Sequence, residues 1–550
     1  MENKKLTRRA GWRSYASAIA LSCFLQAPVA DALAEGAALR WGVVMDVPSL
    51  DPVYQTNNWE YVNAVNIYDG LVWPAAEAGV KPWVADSWTI SEDAKTYTFV
   101  IKSGVKFHDG SEITADDVAF SMVRMLTMNG PAAAAFRTMT ADGVKLVDER
   151  TVSFTLKEPD SAFLKALLTF KIVNKDLVLA NLADGAYGEF KDYGAAYLQS
   201  NDAGSGPYKV ESHRPGEVVK LVRFDDYSLT PWDPNAPGRV EFQIIPEMAT
   251  IGTKLRAGEI DIADWSLPIS VQRQIRADER FASEESPQPT AWFVVMNDAR
   301  PPLDDINVRK AVAHAYDAAT VVNHILGAGG PLAGPVPATM LPGCDGITTY
   351  DFNLDKAKEY LAKSKYSAAE LEAFKLEVAA VAGSERFNNI ALSLATNLKK
   401  VGLPTEVKAV RWADIGQAQT KPETAYNFVV FYDGAKVPDP NVFLVYYTKK
   451  GWGDAFPPGG MYYDNPEVTK LVSRGIESTD VKVQQSSYCD AVKLIAEDSP
   501  SVFSHTDVRQ TTYWKYVDAY GEGGGALFYD MRFENWRIDP NSPDLAANQK

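Results

Sequence analysis

Residues 304 to 336 place the tightest limit on what this chain can fold into. Val308, Ala311, Val312, Ala315, Ala319, Val322 and Leu326 recur at three- and four-residue steps, which puts them on one face of a helix. Asp304 and Asp305 stand at its N-terminal end, where the helix dipole favours negative charge. Gly327, Gly329 and Gly330 predict the stop. The stretch reads as an amphipathic core helix followed by a Gly/Pro loop.

A chain of 550 residues is too long for one such core, so two or three lobes are expected. The apolar fraction of 46% and charged fraction of 23% are those of an ordinary globular protein. Residues 1–34 differ. Lys4, Lys5, Arg8, Arg9 and Arg13 precede a short apolar run from Tyr15 to Leu25, and Ala32-Leu33-Ala34 suits a signal peptidase. They predict a cleaved signal peptide and a periplasmic protein. Arg8-Arg9 lacks the hydrophobic pair of a twin-arginine signal, and Cys23 follows a poor lipobox. Beyond this segment no stretch of about 18 uncharged apolar residues offers a membrane span.

The segment carries five of the 55 Lys+Arg and two of the 71 Asp+Glu, so the mature chain holds 50 against 69, a formal charge of −19. That excess argues against nucleic acid or an anionic membrane surface as partner. Cys344 and Cys489 alone remain in the mature chain. They are free or joined in one disulfide, which spacing does not decide, and they form no metal motif.

Along the chain, Leu39–Val47 predicts a strand ended by Pro48 and Pro52. Tyr97–Lys102 alternates as a strand, His108-Asp109-Gly110 makes a turn, and Thr114 caps a helix with Asp116 and Asp117 in its first turn. Thr151–Lys157 and a helix around Phe163–Phe170 continue an α+β lobe. Strands follow at Val218–Phe224 and Val240–Ile245, then a helix at 248–257 and an apolar strand at Trp292–Asn297. A helix spans Arg386–Val401, with Gly402 as its stop, and a buried strand spans Asn427–Tyr432. The glycines at 204–206 lack the following Lys-Ser/Thr of a phosphate loop.

The stretch "DDINVRKAVAHAYDAATVVNHILGAGGPLAGPVP" resembles the signature of the family 5 extracellular solute-binding proteins, the receptors of dipeptide, oligopeptide, nickel and oligosaccharide ABC importers. "SLDP" with "NIYDGLV", the whole of 82–126, "GSGPYKV", "AGEIDIADW" and "ATNLKKVGLPTEV" resemble it too. The resemblance implies an α/β, periplasmic binding protein type II-like fold of two hinged lobes. Lobe I would take 35–67, 204–288 and 508–550, and lobe III 289–507. The inserted α+β subdomain II, 68–203, would stay clear of the ligand. The chain would cross between lobes near 289 and again near 502–512. The expected partners are a small-molecule solute and a membrane permease, with no cofactor, and the receptor would be a monomer.

The same resemblance puts Asp46, Tyr54, Asn57 and Asn58 near the cleft, with Trp265 facing it. The segment "YNFVVFYDGAKVPDPNVFL" at 426–444 is its core. In peptide-binding relatives the region reads Trp-x-x-Asp-Tyr-x-Asp-Pro, and the aspartate before the tyrosine holds the ligand's α-amine. Aligned on Pro438-Asp439-Pro440, this chain has Asp433 at the tryptophan position and Lys436 at that aspartate position. A buried cationic anchor calls for an anionic partner, so the expected solute carries a carboxylate or phosphate. The alternatives are that Lys436 pairs with Asp433, and that the solute is an ordinary peptide. Arg386, Arg411, Trp412 and Tyr432 complete the candidate site, with Arg411 and Arg386 as anion contacts and Trp412 as either a pocket wall or a surface stacking partner.

A secreted hydrolase is the rival class. There is no Gly-x-Ser-x-Gly or His-Glu-x-x-His, and the five histidines (108, 213, 314, 324, 505) show no ligand spacing. Carboxylate-pair glycosidases need no motif, but a non-catalytic receptor is the expectation. Capture of a metal or haem is a third reading, which scarce histidine disfavours.

Overall fold

The computed structural model describes residues 37–549 except 76–78, 266, 268, 327–328, 436, 453–460 and 519–525. The signal segment, the Gly327 stop and Lys436 therefore lie outside the described residues.

Two large sheets organise the chain. The first has seven strands in the order Phe281–Pro287, Val508–Trp514, Ile262–Ala263, Ala38–Val43, Arg239–Ile244, Val218–Arg223 and Tyr208–Arg214. Ala38–Val43 pairs in parallel with Arg239–Ile244 and Ile262–Ala263. Trp41 is fully buried there among Trp59, Phe242 and Phe533. The second sheet has six strands, in the order Gly330–Pro331, Ser501–Thr506, Thr290–Met296, Phe428–Gly434, Leu376–Val381 and Thr405–Val410. Every residue of Thr290–Met296 is buried, which is why its sequence is an unbroken apolar run rather than an alternating one.

A smaller antiparallel sheet holds Ala85–Ile90, Thr96–Ile101, Thr151–Leu156 and Met139–Asp148, with the helix Ala115–Met128 beside it. Tyr97, Phe99 and Ile101 face inward together with Val152, Phe154 and Leu156, the period of two expected of a sheet with one covered face. Thr114 and Asp117 cap the helix reciprocally.

Two adjacent crossings join the large sheets. Phe281–Pro287 runs into Thr290–Met296 through Gln288 and Pro289, and Ser501–Thr506 runs into Val508–Trp514 through Asp507. The crossings are tied together. The Gln288 N–H donates to the Asp507 carbonyl at 2.9 Å, and the Asp507 N–H donates to Thr290 Oγ1 at 2.9 Å.

The stretch at 304–326 is not one helix. Ile306–Ala315 is helical, Tyr316 is extended at φ −88°, ψ 121°, and a short helix Ala318–Thr320 leads into a π-helical turn, Val321–Leu326. The Asp317 carboxylate causes the restart, accepting from the Thr320 N–H at 2.9 Å and its hydroxyl at 2.7 Å. Tyr316 is buried, with its hydroxyl against Ser504. The expected apolar face therefore holds through Ala315 and fails at Ala319, which is exposed.

Two other elements are shorter than expected. The first strand ends at Val43, as the Val44 N–H turns to the Asp264 carboxylate at 2.9 Å. The helix near 163 covers only Phe163–Ala166. Elsewhere, Glu385–Lys400 buries Ile390, Leu394 and Leu398 and gives way to Gly402 at φ +91°. His108 is the expected turn residue, hydrogen-bonded to Asp202 at 2.7 Å and to the Gly206 carbonyl at 2.9 Å. Cys344 and Cys489 form a disulfide, with their Cα atoms 5.4 Å apart.

Candidate ligand-binding site

A cavity of about 950 Å³ lies between the two large sheets, against both crossings. The capping box that Asn57 makes with Glu60 starts the helix Asn58–Ile67 at its edge and places Asn58 and Tyr61 on the wall. Trp265 is stacked between Trp59, 4.1 Å away at 18°, and Phe528, 6.0 Å away at 12°. The stack fixes both Trp265 and Phe528, which line the cavity as an apolar, aromatic section of its wall.

Arg509 stands just past the second crossing and is 8% exposed. Its guanidinium pairs with Asp530 and lies 5.8 Å from the Trp265 ring and 5.9 Å from that of Phe528. Its Nε and Nη1 groups are buried with no acceptor among the described residues.

The facing wall comes from the six-stranded sheet. Tyr432 and Asp433 lie near the end of Phe428–Gly434, and Arg386 lies in the first turn of Glu385–Lys400. A cation in that turn opposes the helix dipole, and Asp507 offsets it by pairing with the Arg386 guanidinium. That guanidinium also lies 4.2 Å from the Trp292 ring, and its Nε is a further buried donor with no acceptor among the described residues. The Trp292 indole donates to the other Asp507 oxygen at 3.1 Å. Asp433 accepts from the Tyr446 hydroxyl. Behind Trp292, burial first and Arg386 second push His505 down to about 3, so its imidazole is neutral. Burial, followed by the Asp507 charge, raises Tyr432 above the usual phenol range.

Of the residues singled out in the sequence, Asn58, Trp265, Arg386, Tyr432 and Asp433 line this cavity, and Lys436 lies outside the described residues. The others sit elsewhere. Asp46 accepts from the Gly216 N–H at 2.7 Å and so pins a hairpin turn. Tyr54 lies near Asp51 and Tyr187. Asn57 acts as the cap that positions Asn58. Arg411 is an exposed partner of Asp414 at 2.8 Å. Trp412 stacks on Phe431 at 5.9 Å, and Phe431 points to the opposite sheet face from Tyr432 because neighbours in a strand alternate.

Sequence reasoning missed Arg509, Asp507, Tyr61 and Phe528. The signal for the first two was present, since a return crossing at 502–512 was expected and residues beside a crossing face the cleft it spans.

Among the described residues no group of three or more His, Cys, Asp or Glu can hold a metal ion, and no helix is long and apolar enough to cross a membrane.

The model of the bacterial extracellular solute-binding proteins, family 5 Middle, matches residues 79–455. Over 494 residues the chain is 29% identical to the probable D,D-dipeptide-binding periplasmic protein DdpA of Escherichia coli K12, covering 86% of this chain and 90% of that protein. It is 25% identical to heme-binding protein A of Haemophilus influenzae, covering 79% of this chain and 80% of that one. Among solved structures, HbpA2 from Haemophilus parasuis shares its fold with a TM-score of 0.76 at 23% identity, covering 90% of this chain and 99% of that one. The periplasmic binding protein DppA from Helicobacter pylori, in complex with the peptide STSA, matches at 0.70 with 24% identity, covering 92% and 98%.

Proposed function

The chain belongs to family 5 of the bacterial extracellular solute-binding proteins, and from that premise we propose that it captures a small solute bearing a carboxylate or phosphate and delivers it to the permease of an ABC importer. Members of this family are receptors, and in this reading no bond of the solute is made or broken. The protein works outside the cytoplasmic membrane after export.

One observation carries the anionic reading. Arg386 and Arg509 both line the cavity, and together they hold three buried side-chain nitrogens with no acceptor among the described residues, Arg386 Nε, Arg509 Nε and Arg509 Nη1, while one oxygen of Asp530, the partner of Arg509, is likewise unpaired. A buried donor left unpaired costs about 1–3 kcal/mol, and an incoming carboxylate or phosphate supplies the missing acceptors. Charge-assisted bonds in a desolvated site contribute about 1.5–3 kcal/mol each. Because Arg509 stands on the seven-stranded sheet and Arg386 on a helix packed against the six-stranded one, one anion drawn to both pulls the lobes together about the crossings at 288–289 and 507. The apolar wall that includes Trp265 and Phe528 accepts the apolar remainder of the solute.

Asp433 favours a second reading. Its carboxylate lines the same cavity and suits a free α-amine, as in an ordinary dipeptide. The names of the relatives make D,D-dipeptides, dipeptides and haem the first solutes to try.

Calorimetry on the chain lacking residues 1–34 tests both readings with a dipeptide, its C-terminal amide, its N-acetyl form, a D,D-dipeptide and haemin. The anionic reading expects the amide to lose at least 10-fold in affinity and the N-acetyl form to keep it. Arg509→Gln should weaken the free acid by a factor of about 10–100, the loss of one charge-assisted contact. Equal binding of acid and amide sinks the reading. Loss on acetylation alone moves the anchor to Asp433.

A further inference from the structure

A second cavity, of about 820 Å³, lies between the small four-stranded sheet with its neighbouring segments and the body built on the six-stranded sheet. We infer that it is a continuation of the ligand cleft, receiving the far end of an extended, peptide-like solute whose near end occupies the first cavity. This rests on the receptor reading above and departs from the expectation that the inserted subdomain stays clear of the ligand.

Three observations support it. First, the cavities adjoin. Pro289 lines both, and a single loop separates them, with Gly434 and Ala435 on one side and Pro438 and Pro440 on the other. A solute passing Pro289 and that loop leaves one cavity and enters the next.

Second, the walls are held in place across the gap. Lys165 reaches from the small-sheet body to the fully buried Asp439 at 2.7 Å. The Ser161 N–H donates to the Ile476 carbonyl at 3.0 Å, and its hydroxyl meets Tyr488 at 3.2 Å. The loop that separates the cavities is therefore anchored to the inserted subdomain as well as to its own sheet.

Third, the lining suits a peptide-like chain. Trp73, Tyr97 and Tyr488 line it with little exposed ring area, while Thr479, Gln485 and the Oε1 of Gln484, whose Nε2 donates to the Ser478 carbonyl at 2.6 Å, offer neutral donors and acceptors for backbone amides. Charged lining groups are Lys81 and Lys165, with no carboxylate among the described lining residues. Lys165 is engaged by Asp439, while Lys81 pairs with no carboxylate among the described residues. The second cavity accordingly favours a neutral or anionic far end over a cationic one. Its volume lies within the range of ligand-binding pockets, and each added peptide residue extends a solute by about 3.4 Å.

Titration calorimetry of the mature protein with N-acetylated dialanine, tetra-alanine and hexa-alanine, whose far ends carry no charge, tests this. Hexa-alanine is expected to bind at least 10-fold more tightly than dialanine. Val481→Trp and Ile90→Trp each place a large side chain in the second cavity from opposite walls, and both positions are exposed, so folding should survive. Each should remove the gain with length while leaving dialanine within twofold. Equal affinity at all lengths overturns the continuation and leaves the receptor reading standing. A gain that survives both fillings overturns it too, by placing the extra contacts elsewhere. If no alanine peptide binds, the continuation also fails, and binding of another carboxylate solute from the panel above keeps the receptor reading intact.

Discussion

Lys171 shows what a single side chain can cost and signal in this fold. It is buried, donating to the Leu168 carbonyl at 3.0 Å and the Tyr529 hydroxyl at 2.8 Å. Burial first, then Arg532, push its ammonium down to about 7, against the pull of Asp69. An unfolded lysine keeps its proton to about 10.5, so between pH 7 and 10.5 the unfolded chain binds more protons than the folded one. Stability carried by this residue therefore rises with pH across that window and is lost as pH falls through 7. Compared with Lys171→Met, the wild type should gain up to about 1.4 kcal/mol per pH unit there, on the order of a few kcal/mol in all. Urea unfolding of both proteins at several pH values checks this, and parallel curves would contradict it. At the same scale, Thr114, Trp265 and Arg386 were legible from sequence because residue type and immediate neighbours suggested their roles. Arg509 was not, because its significance comes from its place beside a crossing.

Helix ends show how far local rules reach. Thr114 and Asp117 form the capping box their spacing predicts, and Asp117 also accepts from the Lys175 N–H at 3.0 Å. Thr114→Ala should cost about 1 kcal/mol in urea unfolding and leave solute affinity unchanged. A drop in affinity would show that this helix supports the cleft directly. The stretch at 304–326 marks the limit of the same rules. Its apolar spacing favours one helix, yet Asp317 caps a new turn and Tyr316 is turned out of the helix toward Ser504. Periodicity records which residues are apolar. It does not record the competition between a side-chain cap and one more backbone turn.

For the molecule as a whole, two crossings join the large sheets and one disulfide ties distant segments of the chain. Closure on an anionic solute should lower the radius of gyration in solution scattering, and superposable curves with and without a bound solute would contradict the hinge. The Cys344–Cys489 bond spans a sequence separation of 145 residues, tying the segment after Pro342 to the helix Val481–Asp498. Replacing both cysteines with alanine should cost about 2–4 kcal/mol, chiefly through the freedom restored to the unfolded chain. Thermal unfolding of the double variant checks this, and an unchanged midpoint would show that the bond adds nothing to stability.

By itself the sequence determined the α/β character, most strands and caps, and the family. Those depend on alternation, helical spacing and turn chemistry, which act within a few residues and can be read along the chain. Only the tertiary structure decided which candidates share a cavity. Asn58, Trp265, Arg386, Tyr432 and Arg509 come from distant parts of the chain, and strand order brings them together. Alternation along one strand then sends Phe431 toward Trp412 and Tyr432 toward the cavity. A difference of one residue settles which side of a sheet a side chain serves, and what lies on each side depends on long-range packing.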